Sequence, residues 1–319
     1  MTSPGLDEPR EGRPPALKVD GLKRCFGTRN AVENLDLRVM EGDLYGFLGP
    51  NGAGKTTAMR CMLGLLHRDA GSVEVFGERD PIRQRRFLGA MVETPRFHEW
   101  LSARVNLGIA CAYAGIDARS AEAEVQSALD RVGLSDRAED PVKAYSLGMK
   151  QRLGIARTLL GGPRLLLLDE PTNGLDPRGM RDIRELLLGL CRRDGITVFL
   201  SSHLLAEVEA LCNRVGILDR GRLVAEGEVS HLLREVAGAD DLELGSADRH
   251  ALVTRLSAMP EVSILGEGES GRLHVRVQGL SVAGLARRLI QEGIEIQALV
   301  PRVKSLEDLF LQRTRNEIR

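Results

Sequence analysis

Gly49-Pro50-Asn51-Gly52-Ala53-Gly54-Lys55-Thr56 decides how this chain is read. The stretch fits G-x-x-x-x-G-K-[ST], the pattern of a phosphate-binding loop, or P-loop. Gly49, Gly52 and Gly54 permit backbone conformations that a side chain would block. The loop can then wrap an anion and aim several N–H groups at it. A helix beginning near Lys55 adds the partial positive charge of its N-terminus. Lys55 suits the β- and γ-phosphates, and the Thr56 hydroxyl suits Mg²⁺. Leu44-Tyr45-Gly46-Phe47-Leu48 reads as a buried strand entering the loop, and Thr57–Leu63 as an apolar-periodic helix leaving it. A chance glycine-rich turn does not account for strand, loop, Lys-Thr and helix in that order.

Around this stretch, the 319 residues allow one large domain or two ordinary ones. The hydrophobic fraction of 43% and charged fraction of 28% are those of a globular protein with a sizeable core. A net charge of −1 favours neither nucleic acid nor an anionic membrane, so no nucleic-acid partner is expected. Cys25, Cys61, Cys111, Cys191 and Cys212 are odd in number and widely spaced, as small buried residues of a reduced compartment are. Residues 1–15 are charged and Pro-rich, without the apolar core of a secretory signal, and are expected to be a disordered tail. No apolar run approaches the ~20 residues that span a bilayer, so any role at a membrane passes through a partner.

Upstream of the loop, Ala16–Asp20 and Leu35–Val39 alternate like strands, with a turn-rich segment from Gly21 to Arg29 between them. They suggest a small antiparallel layer beside the main sheet, and Ser72–Gly77 is a further strand. Leu101 to about Val132 is helical in pattern, giving a helical subdomain at about 95–150. Leu165–Leu168 and Ile196–Leu200 are short, wholly apolar strands of the kind found inside parallel sheets. Ile183–Cys191 reads as helix, and Asp219-Arg220-Gly221 as a hairpin turn. Ala237–Asp240 reads as a linker between a nucleotide-binding domain at 16–234 and an accessory domain at 240–319. The latter alternates β-α-β-β-α-β, a small split βαβ sandwich, and closes with a helix capped by Ser305.

Asp169-Glu170, at the end of an apolar strand, is the natural acidic partner of a P-loop. Asp169 is suited to hold Mg²⁺. Glu170, one residue beyond, is suited to polarise an attacking water as general base, a role worth ~10²–10⁴-fold in rate. His203 follows another buried strand and two small hydroxyl residues, where it could sense the γ-phosphate; a structural histidine is the alternative. Phe26 lies beside Gly27, where an exposed aromatic could stack on adenine; a core phenylalanine fits equally. Trp100 is read as core or interface.

Taken together, these motifs resemble the ATP-binding subunits of ABC transporters over about Leu17 to Val229. Gly49–Thr57 (GPNGAGKTT) looks like their Walker A motif, which brings Thr57 into the site. Tyr145–Gln151 (YSLGMKQ) looks like the ABC signature, with Ser146, Gly148 and Gln151. Leu165–Glu170 looks like Walker B with its catalytic glutamate. Gly174-Leu175-Asp176 looks like the D-loop, and His203 like the switch histidine. The implied fold is an α/β P-loop ATPase core with an antiparallel β subdomain and a helical subdomain, followed by a small α+β domain. The resemblance further implies ATP and Mg²⁺, a head-to-tail homodimer with ATP at its interface, and separate transmembrane permease subunits. It places the chain peripherally on the cytoplasmic face of the membrane.

One position departs from the family pattern. Glu93 stands where the family usually has Gln, and a carboxylate there can still ligate a metal or hold water. Glu at this position is similar to the branch handling lantibiotics and bacitracin-like peptides, and the C-terminal domain resembles bacterial drug-resistance ATPases. The expectation is therefore antibiotic or peptide export, or resistance. The rivals are a non-transport ABC ATPase and a regulatory ATP-binding module.

Overall fold

The structure, a computed structural model, describes residues 15–236, 240–267, 271–301 and 305–315. The expected tail, apart from Pro15, and the expected linker at 237–240, apart from Asp240, which instead begins a strand, lie outside the described residues. The chain forms two compact units, the first ending at Val229 and resuming at Gln312, the second spanning Ser230–Leu311.

The first unit begins with an antiparallel pair, β1 (Pro15–Phe26) and β2 (Arg29–Met40). The turn-rich segment expected after Asp20 is instead a continuation of β1. Gly21 takes φ 60, and the pairing shifts register between Val19 and Leu22 and twice more before Cys25. The extra residues are absorbed as bulges, which the alternation pattern alone does not register. β3 (Leu44–Leu48) is buried at every position and leads into α1 (Lys55–Met62). β4 (Ala70–Val75) returns to pair with β1, giving a three-stranded sheet of order β2-β1-β4. A short helix, α2 (Pro81–Gln84), then precedes β5 (Leu88–Met91).

The helical segment comprises α3 (Ala103–Tyr113) and α4 (Ala118–Arg131), which lead to α5 (Leu147–Leu159). After it come β6 (Leu165–Asp169), α6 (Pro177–Asp194), β7 (Thr197–Ser202), α7 (Leu205–Leu211), β8 (Arg214–Asp219), β9 (Arg222–Glu228) and α8 (Val229–Val236). Helix α6 starts six residues before the expected Ile183, because Asp176 caps it and Pro177 occupies its first position. Helix α7 has no counterpart among the sequence expectations.

The six-stranded sheet has the order β5-β6-β7-β3-β8-β9, parallel except for β9. Its central strands are buried throughout, which explains their unbroken apolar runs. Tyr45 stacks on Phe199 with ring centroids 5.3 Å apart, and the buried Tyr45 hydroxyl donates to Glu226. The loop directly follows β3, which runs parallel to β7 and β8, so it stands at the C-terminal edge of the parallel strands, and α1 after it packs on β1, β2 and β6.

The second unit contains α8 from Ser230 onward, then β10 (Asp240–Ser246), α9 (Arg249–Ser257), β11 (Val262–Glu267), β12 (Leu273–Val277), α10 (Val282–Gln291) and β13 (Ile296–Pro301). Helix α11 (Leu306–Arg315) follows. All neighbouring strands are antiparallel, in the order β11-β12-β10-β13. Leu242, Leu244, Val275, Leu252, Leu256 and Leu289 form the centre of its core. This is the β-α-β-β-α-β arrangement that the alternation of the sequence suggested.

Candidate active site

The P-loop closes over the start of α1 as its glycines require. Gly54 caps the helix at φ 109, a left-handed conformation, and a Cβ there would lie 2.2 Å from the Ala31 carbonyl oxygen. A Cβ on Gly49 would lie 2.3 Å from the Leu218 oxygen. The Ala53 amide donates to Pro50 O, and the Gly221 amide donates to Ala53 O, tying the loop to the β8–β9 turn. Pro50, Asn51 and Gly52 remain exposed at its rim, and Thr57 follows Thr56 in the first turn of α1.

Lys55 is buried within the loop, its Nζ donating to Gly49 O at 2.7 Å and Pro50 O at 3.3 Å. Burial lowers its pKa below the ordinary lysine value, and the charges of Glu170 and then Asp169 oppose that fall. The loop thus holds a desolvated cation, the arrangement that a phosphate group would complete.

The ends of β6 and β7 supply the acidic side of the site. Thr56 Oγ1 donates to Asp169 Oδ2 at 2.8 Å. Asp169 pairs in register with Ser201 of β7, and the Ser201 hydroxyl donates to Asp169 Oδ1. The same hydroxyl accepts the Glu170 amide at 3.0 Å. Glu170 takes φ 48, in the left-handed region that non-glycine residues rarely occupy. In that conformation its carboxylate lies 3.0 Å from His203 Nδ1 and 3.7 Å from Lys55 Nζ.

Lys55, Thr56, Asp169, Glu170 and His203 therefore form one network, with Ser201 at its hinge. Ser201 is not among the candidates read from the sequence, although the small hydroxyl pair before His203 was its signal. Hard oxygen donors at Thr56 and Asp169, beside a caged lysine, fit a divalent cation bound with a nucleotide.

The remaining candidates lie elsewhere. Ser146 caps α5 by accepting the Met149 amide, and Asp176 caps α6 by accepting the Gly179 amide. Ser146, Gly148, Arg152, Gly174, Asp176 and Arg178 line a separate groove of about 510 Å³, to which no P-loop residue contributes. Gln151 is buried in α5. Phe26 is half-exposed at the end of β1, with the Arg24 guanidinium 4.6 Å over its ring, so the core alternative does not apply. Trp100 is likewise exposed rather than core. Cys25 is partly exposed, and the other four cysteines are buried thiols. Glu93 pairs with Arg60 of α1 and not with the Asp169 network.

Against known proteins, the family model described as ABC transporter matches residues 32–173. The chain is 38% identical over 299 residues to the bacitracin transport ATP-binding protein BcrA of Bacillus licheniformis, covering 93% of this chain and 96% of BcrA. The chain belongs to the ABC transporter family. Within this family it is also similar to the lantibiotic transport ATP-binding protein SrtF of Streptococcus pyogenes, 38% identical over 71% of this chain and 94% of SrtF. Among solved structures, an ATP-binding subunit of an ABC transporter aligns at a TM-score of 0.60 and 30% identity, over 69% of this chain and 92% of that one. As a member of the ABC transporter family, this chain is an ATP-binding, ATP-hydrolysing subunit. No helix among the described residues is long and apolar enough to cross a membrane.

Proposed function

We propose that this subunit hydrolyses ATP to power export of, or resistance to, an antibiotic, peptide or other hydrophobic drug through separate membrane permease chains at the cytoplasmic face of the membrane. Glu170 is its general base. The observation that carries this reading is the Glu170 carboxylate, set between Lys55 Nζ at 3.7 Å and His203 Nδ1 at 3.0 Å by a left-handed backbone. The cargo class is supported by the likeness to BcrA and SrtF, which serve bacitracin and lantibiotic transport.

In this reading the loop amides and Lys55 cradle the phosphates, while Thr56 and Asp169 hold Mg²⁺. Mg²⁺ supplies charge neutralisation on the phosphate oxygens. Glu170 takes the proton of the attacking water, and His203 keeps the carboxylate oriented. Phe26 offers a ring face to adenine. Ser146 and Gly148, at the N-terminus of α5, present a second anion-binding site for the nucleotide of a second copy. Two such chains, head to tail, complete each other's sites. A groove of about 540 Å³, where Phe97, Ile109, Tyr113 and Leu160 lie beside Arg96 and Arg157, offers the permease a docking face.

The test is phosphate release by the purified chain. Glu170→Gln is expected to lower turnover by about 10²-fold or more while ATP binding persists, because the base is lost and the phosphate cradle is not. Unchanged turnover would remove Glu170 from this role.

A further inference from the structure

Glu93 leaves the sheet beside the reaction centre. β5 and β6 run parallel with Met91 beside Leu168, so Glu93 and Glu170 each lie two residues past a paired position. Glu93 has φ 79, left-handed for a residue with a side chain, and its carboxylate pairs with the Arg60 guanidinium. Arg60 stands four residues after Thr56 in α1, so the two side chains share one helix face, one turn apart. One face of α1 thus holds both acidic strand ends: Asp169 through Thr56, and Glu93 through Arg60.

We propose that Arg60 is a positioning residue whose pairing with the Glu93 carboxylate keeps it from the Thr56–Asp169 oxygens, so that Glu93 joins a divalent cation there only when this pair opens. The proposal rests on the reading of Thr56 and Asp169 as metal-holding oxygens. Its physical basis is charge. Asp169 ends β6 with Glu170 next, and Glu93 follows the neighbouring β5 by two residues, so a Glu93 carboxylate brought to the Thr56–Asp169 oxygens would meet like charge there. A neutral amide at position 93 needs no counter-charge, whereas a carboxylate does, and Arg60 supplies it. The pair is partly exposed, 41% at Arg60 and 63% at Glu93, so solvent screens it and it opens readily. Such a restraint shifts populations several-fold, not by orders of magnitude. The Arg60 carbonyl accepts the Leu65 and Leu66 amides, so the end of α1 is closed by backbone bonds that a side-chain substitution leaves in place.

The test titrates Mg²⁺ against binding of a fluorescent, non-hydrolysable ATP analogue in the full chain. Arg60→Gln is expected to lower the Mg²⁺ concentration at half-maximal binding about two- to five-fold, the range of an exposed ion pair. Arg60→Lys keeps the charge and is expected to stay near the wild-type midpoint. In the Glu93→Gln background, Arg60→Gln is expected to produce no further shift. A shift of equal size in both backgrounds, or none with Glu93 intact, overturns the proposal. If Asp169→Asn leaves the Mg²⁺ midpoint unmoved, the underlying metal-site reading fails as well, which separates that failure from one confined to Arg60.

Discussion

At the scale of single residues, Ser201 organises the acidic side of the site. Its hydroxyl donates to the Asp169 carboxylate and accepts the Glu170 amide, so one oxygen fixes that carboxylate and the Glu170 backbone, and it is fully buried. Ser201→Ala leaves that amide without its acceptor and is expected to cost about 1–3 kcal/mol in unfolding free energy. It is also expected to lower ATP turnover, since Glu170 loses the anchor that holds its strained backbone. Denaturant melts and phosphate release together check this; unchanged values in both would exclude the anchoring role. Lys55, Thr56 and Asp169 could be named from the sequence because phosphate and metal chemistry demands their types at fixed spacing. Ser201 and Arg60 could not, because their parts depend on a cross-strand register and on a contact between α1 and the segment after β5.

At the scale of elements, the apolar strands β3, β6 and β7 were legible because every side chain is buried and no alternation interrupts the run. The far half of β1 was not, because bulges disguise pairing as turn chemistry. Helix α7 escaped notice because it is short and its cap makes no side-chain bond. The segment before α3 is shaped by a residue whose part shows only in three dimensions. The buried Asn106 amide accepts the His98 amide at 2.9 Å and donates to the carbonyls of His98 at 3.1 Å and Ser102 at 2.9 Å. Asn106→Ala is expected to lower the unfolding free energy of the first unit by about 1–3 kcal/mol, because backbone groups of 98–102 lose their partner. A denaturation midpoint equal to wild type would show that the segment is held by other contacts.

For the whole molecule, the order of elements carried most of the architecture. A P-loop strand, an acidic strand end and a βαββαβ tail each imply a known layering, and the two compact units are built on those patterns. In the proposed reading, a single chain leaves its nucleotide site incomplete. The network of Lys55, Asp169, Glu170 and His203 and the groove of Ser146 and Gly148 share no lining residue. In the proposed assembly, ATP bridges the first on one chain to the second on another. The most direct measurement is the solution mass of Glu170→Gln by light scattering, with and without saturating Mg-ATP. The account predicts a single-chain mass without nucleotide and twice that mass with it. A single-chain mass while ATP is demonstrably bound would contradict it.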